Sequence, residues 1–210
     1  MSVALWVVAL DAPELADGEY ESCLSAQERQ RALKLRVAQD RKRFTITRSA
    51  LRHILAGAVN LNASEIKFEY SPGGKPEILS DAGWSFSVSH SGDRALIALT
   101  QRRRVGVDVE QMTHSYAQLQ DVARTLDRHQ RDALALLPAE AAAKAFYRAW
   151  VRREAMLKAL GIGIARRPVA IDPSPWHLVE IDGTEFASPG YVAALAVERE
   201  ARHVVLRRWP

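Results

Sequence analysis

The stretch Val105-Gly106-Val107-Asp108-Val109-Glu110 limits the folds open to this chain more than any other. Alternate side chains of a strand share a face. The spacing therefore predicts a strand with Val105, Val107 and Val109 in one buried row and Gly106, Asp108 and Glu110 on the other side. Gly106 removes a side chain next to the carboxylates and is expected to leave room for a ligand. An Asp-x-Glu on a strand is most often a solvated face, so the two carboxylates gain chemical meaning only in combination.

The combination is supplied by Trp150-Val151-Arg152-Arg153-Glu154-Ala155-Met156-Leu157-Lys158, a helical stretch. Positions four apart stack on one helix face, which places Glu154 with Lys158 and Trp150 one turn earlier. Alone, such a Glu–Lys pair is a surface ion pair worth about 0.3–0.5 kcal/mol. Together with the strand, Asp108, Glu110 and Glu154 offer three carboxylates, and Lys158 a cation. Carboxylate oxygens suit magnesium, which takes few protein ligands and fills its shell with phosphates and water.

At 210 residues, the chain can form one large or two small domains. The single Cys23 excludes an internal disulfide framework and fits a reducing, cytoplasmic setting. Val3 to Leu10 is apolar but short, lacks a preceding basic region and meets Asp11, which predicts a first strand rather than a signal peptide. No segment has the length to span a membrane. The formal charge is +4, with 23 arginines among the 29 basic residues. Guanidinium forks suit phosphate oxygens. The charge suits an acidic protein or a polyanion through steering. It is too modest to argue for nucleic acid, and no aromatic stacking motif accompanies the basic runs.

Ala12 to Leu24 reads as a loop, and Ser25-Ala26-Gln27-Glu28 as a capping box that starts a helix. A longer helix is expected from Asp40 to Val59, with Phe44, Thr47, Leu51, Ile54, Leu55 and Ala58 as its apolar stripe. Arg41, Arg48 and Arg52 beside that stripe read as a solvated rim. Strands follow around Ile66–Tyr70, Trp84–Val88 and Ala95–Leu99, with a turn at Ser71-Pro72-Gly73-Gly74. After the Asp108 strand, helical patterning runs from Ala117 to Leu160, interrupted at Pro138 and capped by Gly161. Asp182-Gly183 signals a hairpin after Trp176–Ile181. Tyr191–Val197 and Val204–Leu206 complete the strands. The chain divides near Arg104 into residues 1–104 and 105–210, each with a long helix followed by hairpin strands and without a residue-level repeat.

The ordered combination resembles the 4′-phosphopantetheinyl transferase superfamily. That signature joins a hydrophobic-Gly-hydrophobic-Asp segment to Trp/Phe-x-x-Lys-Glu-Ala/Ser-x-x-Lys after about forty residues. Here Trp150 lies 150 − 108 = 42 positions after Asp108. Gly74-Lys75-Pro76, Phe86-Ser87-Val88-Ser89-His90-Ser91, Phe44 through Arg52 and Gly190-Tyr191-Val192-Ala193 extend the likeness over nearly the whole chain. Two positions depart from the pattern. Arg153 stands where the family usually has lysine. Gln130 stands where a Phe-Phe-Ser-x-x-Glu stretch often ends in glutamate.

The resemblance implies an α+β fold of two similar halves packed as an intramolecular pseudo-dimer, monomeric and Sfp-like, with coenzyme A between the halves. It implies transfer of the phosphopantetheine arm to a serine of an apo acyl or peptidyl carrier protein, usually an acidic one, and release of adenosine 3′,5′-bisphosphate. Asp108, Glu110 and Glu154 would hold Mg2+ or Mn2+. Arg43, Lys75, Ser89, His90 and Lys158 would meet the coenzyme, and Glu154 would accept the serine proton. The alternative is a magnesium-dependent nucleotide or coenzyme A phosphohydrolase using the same carboxylates with water as acceptor.

Overall fold

The structure, a computed structural model, describes residues 2–11, 19–78, 83–162, 171–186, 188–199 and 203–210. The first part of the expected Ala12–Leu24 loop, residues 12–18, lies outside them. The chain opens with strand β1 (Ser2–Ala9), then helices α1 (Ala26–Leu33) and α2 (Ala38–Val59). Ser25 starts α1 through the expected capping box, its hydroxyl accepting from the Glu28 amide while the Glu28 carboxylate accepts from Ser25 N. A short hairpin, β2 (Phe68–Tyr70) and β3 (Pro76–Ile78), precedes the longer hairpin β4 (Trp84–Ser91) and β5 (Arg94–Gln101).

Strand β6 (Val105–Gln111) begins the second half. The region expected to be helical up to Leu160 breaks twice, giving α3 (Gln120–Ala123), α4 (Arg128–Ala135) and α5 (Ala139–Leu160). Pro138 makes the second break, as expected. Asp127 makes the first, as the N-cap of α4: its side chain accepts from the Gln130 amide, and Gln130 Oε1 accepts from Asp127 N. Gln130 is thereby spent on a helix cap. Gly161 closes α5 in the left-handed region at φ 72°. Strands β7 (Trp176–Asp182), β8 (Tyr191–Glu198) and β9 (His203–Arg208) follow. The β7–β8 hairpin forms, with a 3₁₀ turn at Gly183–Phe186 before β8 starts at Tyr191 as expected.

The halves repeat in topology rather than in sequence. In the first, β1 leads to a 22-residue helix and a hairpin, and the sheet order is β4-β5-β1 with antiparallel neighbours. In the second, β6 leads to a 22-residue helix and a hairpin, and the order is β6-β8-β7, again antiparallel. Strand β9 follows the second half in sequence but pairs in parallel with β1. This is the expected α+β fold of two similar halves.

Three apolar cores hold the layers. α2 covers one face of the first sheet through Ile46, Ala50, Leu51 and Leu55 against Val8, Phe86 and Ile97. The other face meets the second sheet, with Val3, Leu5 and Val7 packed among Val105, Val107 and Val109. α5 covers the far side of the second sheet through Val151, Ala155 and Ala159 against Val192, Ala194 and Ala196. The valine row is fully buried, as its alternation predicts, and each such side chain stabilises by about 1.5–3 kcal/mol.

Two expectations are corrected by packing. A Cβ on Gly106 would collide with the backbone at Ala155 O and Ala159 N. Gly106 therefore makes room for α5 to approach β6, not for a ligand. The supposed rim of arginines is partly buried. Arg52, 2% exposed, donates to Glu28 Oε2 at 2.7 Å and to the carbonyls of Ala63 and Ile66. Arg48 donates to Glu28 Oε1 at 2.6 Å. These ties bind α1, α2 and the following turn into one unit.

Candidate functional site

Strand β4 carries a serine at every second position, Ser85, Ser87, Ser89 and Ser91. Period two puts them on one face. Three of them bridge to β6, so the edges of the two sheets meet through hydroxyls. Ser87 Oγ accepts from Val107 N at 3.0 Å. Ser89 Oγ donates to Asp108 Oδ1 at 2.8 Å. Ser91 Oγ donates to Glu110 Oε2 at 2.7 Å and accepts from Gln111 N at 3.1 Å. Only Ser89 of these was expected at the site. The signal for the others was the serine alternation itself.

On the α5 side of β6, Lys158 Nζ donates to Asp108 Oδ1 and to Ser89 Oγ, both at 2.7 Å. Lys158 thus turns to the strand carboxylate, while Glu154 Oε1 accepts from the guanidinium of Arg153 at 2.7 Å. The Asp-x-Glu pair is covered rather than solvated, unlike most such pairs on strands. Asp108 is 4% exposed and Glu154 5%, and Glu110 is half-buried. Trp150 Nε1 donates to Glu110 Oε1 at 3.4 Å, so the signature tryptophan steadies a carboxylate.

The charges here are incompletely satisfied. Asp108 Oδ2 is buried without a hydrogen-bond partner, a costly state for a charged group. Burial raises Glu110 above the usual carboxylate range, and the charge of Asp108 adds to it against the Ser91 and Trp150 hydrogen bonds. Glu154 is raised by the same two causes, opposed by Arg153 and Lys158. A divalent cation at Asp108 would offset the charge that burdens its neighbours, and carboxylate oxygens are the donors a hard cation takes. Among the described residues, no three acidic, histidine or cysteine side chains stand close enough together to hold an ion. Asp108 and Glu110 fit one, with the orphaned Oδ2 as the open donor. Glu154 is held by Arg153.

The remaining expected residues lie around this centre. A cavity of about 270 Å³ joins Lys75 and the glycines of its turn to Glu154 and Lys158, with Phe86 and Val88 as apolar walls. Lys75 is half-buried and donates to Val105 O at 3.0 Å. Burial lowers its pKa to about 8, with Glu77 opposing and Arg104 adding a smaller push. His90 follows Ser89 and so turns to the opposite face of β4. It is exposed at its surface, yet desolvation by its neighbours, then the charges of Lys158 and Arg43, lowers its pKa. Arg43 is gripped by Asp11, with Nε to Oδ1 at 3.0 Å and Nη2 to Oδ2 at 2.6 Å. The sequence thus assembles as one tight group (Ser89, Asp108, Glu110, Glu154, Lys158), with Lys75 across the cavity and Arg43 near His90. The roomiest cavity described, about 700 Å³ beside Trp6, Trp84 and Trp209, has no acidic side chain in its lining.

Comparison with known proteins matches both halves. The family described as "4'-phosphopantetheinyl transferase, N-terminal" matches residues 18–102, and the "4'-phosphopantetheinyl transferase superfamily" matches residues 104–204. The 4′-phosphopantetheinyl transferase HetI of Nostoc sp. is 33% identical over 211 residues, covering 93% of this chain and 87% of the relative. The protein slr0495 of Synechocystis sp. is 35% identical over 163 residues, covering 77% of this chain and 65% of the relative. The 4′-phosphopantetheinyl transferase psf-1 of Bacillus pumilus is 30% identical over 142 residues, covering 68% and 60%.

Proposed function

The chain belongs to the 4′-phosphopantetheinyl transferase superfamily, and from that premise we propose that it moves the phosphopantetheine arm of coenzyme A onto a serine of an apo acyl or peptidyl carrier protein. The observation that carries the reading is the seam between the halves. There Lys158 is pinned by Asp108 and Ser89 beside a cavity, and Asp108 keeps one buried oxygen without a partner.

In this reading the first half, residues 1–104, supplies coenzyme contacts, and the second, residues 105–210, the metal and catalytic groups. Asp108, Glu110 and Glu154 would hold magnesium or manganese. When bound, the ion supplies charge neutralisation at the pyrophosphate. The ammonium of Lys158, aimed from α5, adds a fixed positive charge beside the cavity, where partial burial strengthens it relative to bulk water. Lys75, Ser89, His90 and Arg43 hold the coenzyme. The serine oxygen bonds to phosphorus as the pyrophosphate bridge to adenosine 3′,5′-bisphosphate breaks. The serine proton goes to Glu154, whose carboxylate burial and the charge of Asp108 make a better proton acceptor than an ordinary one.

Arginine excess suits an acidic carrier. The pseudo-dimer within one chain suits a monomer, and the lone buried Cys23 a reducing cytoplasm. Among the described residues no helix is long and apolar enough to cross a membrane. Incubation with coenzyme A, Mg2+ and apo carriers from fatty-acid, polyketide and peptide assembly should add one phosphopantetheine to a carrier serine, read by mass spectrometry. No adduct on any of them defeats the reading. Release of phosphopantetheine to water without a carrier would instead mark a phosphohydrolase.

A further inference from the structure

Buried cations normally settle their carboxylates, and α5 contains one placed beside the residue that should be a metal ligand. Arg153 and Glu154 are neighbours on the helix, both side chains below one-tenth exposed, and joined at 2.7 Å. The guanidinium also lies 5.9 Å from the ring centre of Trp150, the residue that donates to Glu110. It therefore sits against one carboxylate of the acidic cluster and against the tryptophan that steadies another. Its position is the one where the signature usually carries lysine.

We propose that Arg153 is a built-in competitor for the third metal ligand, its guanidinium holding Glu154 apart from Asp108 and Glu110 until a divalent cation displaces it. The inference rests on the transferase reading of this site. A guanidinium keeps its charge at any working pH and presents a planar fork of donors. The carboxylate is thus ion-paired in the metal-free protein, and the cation must displace that pair to recruit it. Arg153 acts on metal and proton only through Glu154, which makes it a positioning residue. Its consequence is a higher metal threshold than a freely available carboxylate would set.

The test uses Mn2+ alone, titrated into the coenzyme-free protein and followed by the loss of the free-ion signal in electron paramagnetic resonance. Arg153→Gln should tighten Mn2+ binding about tenfold or more, a coupling typical of groups in contact. Arg153→Lys keeps a cation but loses the fork, and should fall between Gln and the native residue. In an Glu154→Gln background the Arg153→Gln gain should vanish, because the competitor then has nothing to withhold. Unchanged or weaker binding in Arg153→Gln overturns the proposal, as does a gain that persists without Glu154, which would mark a mere field effect. Thermal melting of each metal-free variant checks folding. If Arg153→Gln does not fold, Arg153→Lys decides, and native affinity there overturns the proposal. A carrier adduct from the native enzyme with no gain in the variants defeats the competitor alone, whereas absence of the adduct defeats the function beneath it.

Discussion

The helices α2 and α5 are equal in length and cover equivalent sheets, yet they treat buried charge in opposite ways. Beside α2, Glu28 is met by Arg48, Arg52 and the Ser25 amide, and these partners overcome burial and hold its pKa below the usual value. Beside α5, Glu110 and Glu154 lie near Asp108, burial and its charge prevail, and both are pushed up. A carboxylate with enough partners stabilises a fold. One left short of them has free energy to gain from a ligand, and such perturbed groups gather at functional sites.

The sharpest way to break this contrast is to change one carboxylate on each side. Asp108→Asn should lower kcat/KM for carrier modification by about a thousandfold, roughly 4 kcal/mol of transition-state stabilisation. Its thermal midpoint should move by only a few degrees, because an unsatisfied charge is removed along with its pairing. A variant with near-native turnover would take Asp108 out of the site.

Glu28→Gln should do the reverse. Removing one member of a buried ion pair costs about 3 kcal/mol and leaves the buried charge of Arg52 without its counter-ion, while the kinetics of the folded fraction stay native. The pH dependence follows from the lowered pKa. The Glu28 contribution is complete above its unfolded value near 4.5 and is lost as pH falls through the lower folded value. Urea unfolding between neutral and acid pH should show that loss in the native protein and a smaller one in Glu28→Gln. Equal slopes would mean that Glu28 does not stabilise the fold.

Gly106→Ala probes the boundary between structural and functional roles on β6 itself. The added methyl meets the backbone of α5, so a loss of about 2 kcal/mol in stability is expected, as for overpacking. Glu154 and Lys158 ride on that helix and would shift with it, so turnover should fall too. Full stability in the variant would restore Gly106 as a space left for ligand.

The sequence made periodic features legible. Valine alternation predicts the buried row of β6, the capping box predicts the start of α1, and the 42-residue spacing from Asp108 to Trp150 singles out the strand and the helix that meet at the site. What it concealed depends on which partner a charge finds in three dimensions. Glu154 and Lys158 share a helix face, yet each turns elsewhere, to Arg153 and to Asp108. Arg48 and Arg52 read as rim because their partner Glu28 is twenty or more residues away on α1. The serine bridge was visible as a period of two along β4, but its meaning needed β6 beside it. Asp127 and Gln130, in the stretch that departs from the family pattern, satisfy local backbone.

The smallest effect sharpens the comparison on the coenzyme side of the cleft. Lys75 is half-buried like Glu110, and burial again disfavours its charged form, bringing its pKa to about 8. For a base, a lowered value means that the ammonium present at pH 7 is largely gone by pH 9, where an ordinary lysine still carries its charge. If that ammonium holds a coenzyme phosphate, affinity measured calorimetrically should fall about tenfold, near 1.4 kcal/mol, across this interval. Lys75→Ala should bind about tenfold more weakly at pH 7 and lose most of the dependence. An anion bound beside Lys75 raises its pKa, so binding at pH 8 should take up protons, measurable as a buffer-dependent heat. A native protein whose affinity is flat from pH 7 to pH 9 would place the coenzyme phosphates away from Lys75, leaving its hydrogen bond to Val105 O as a purely structural tie between the halves.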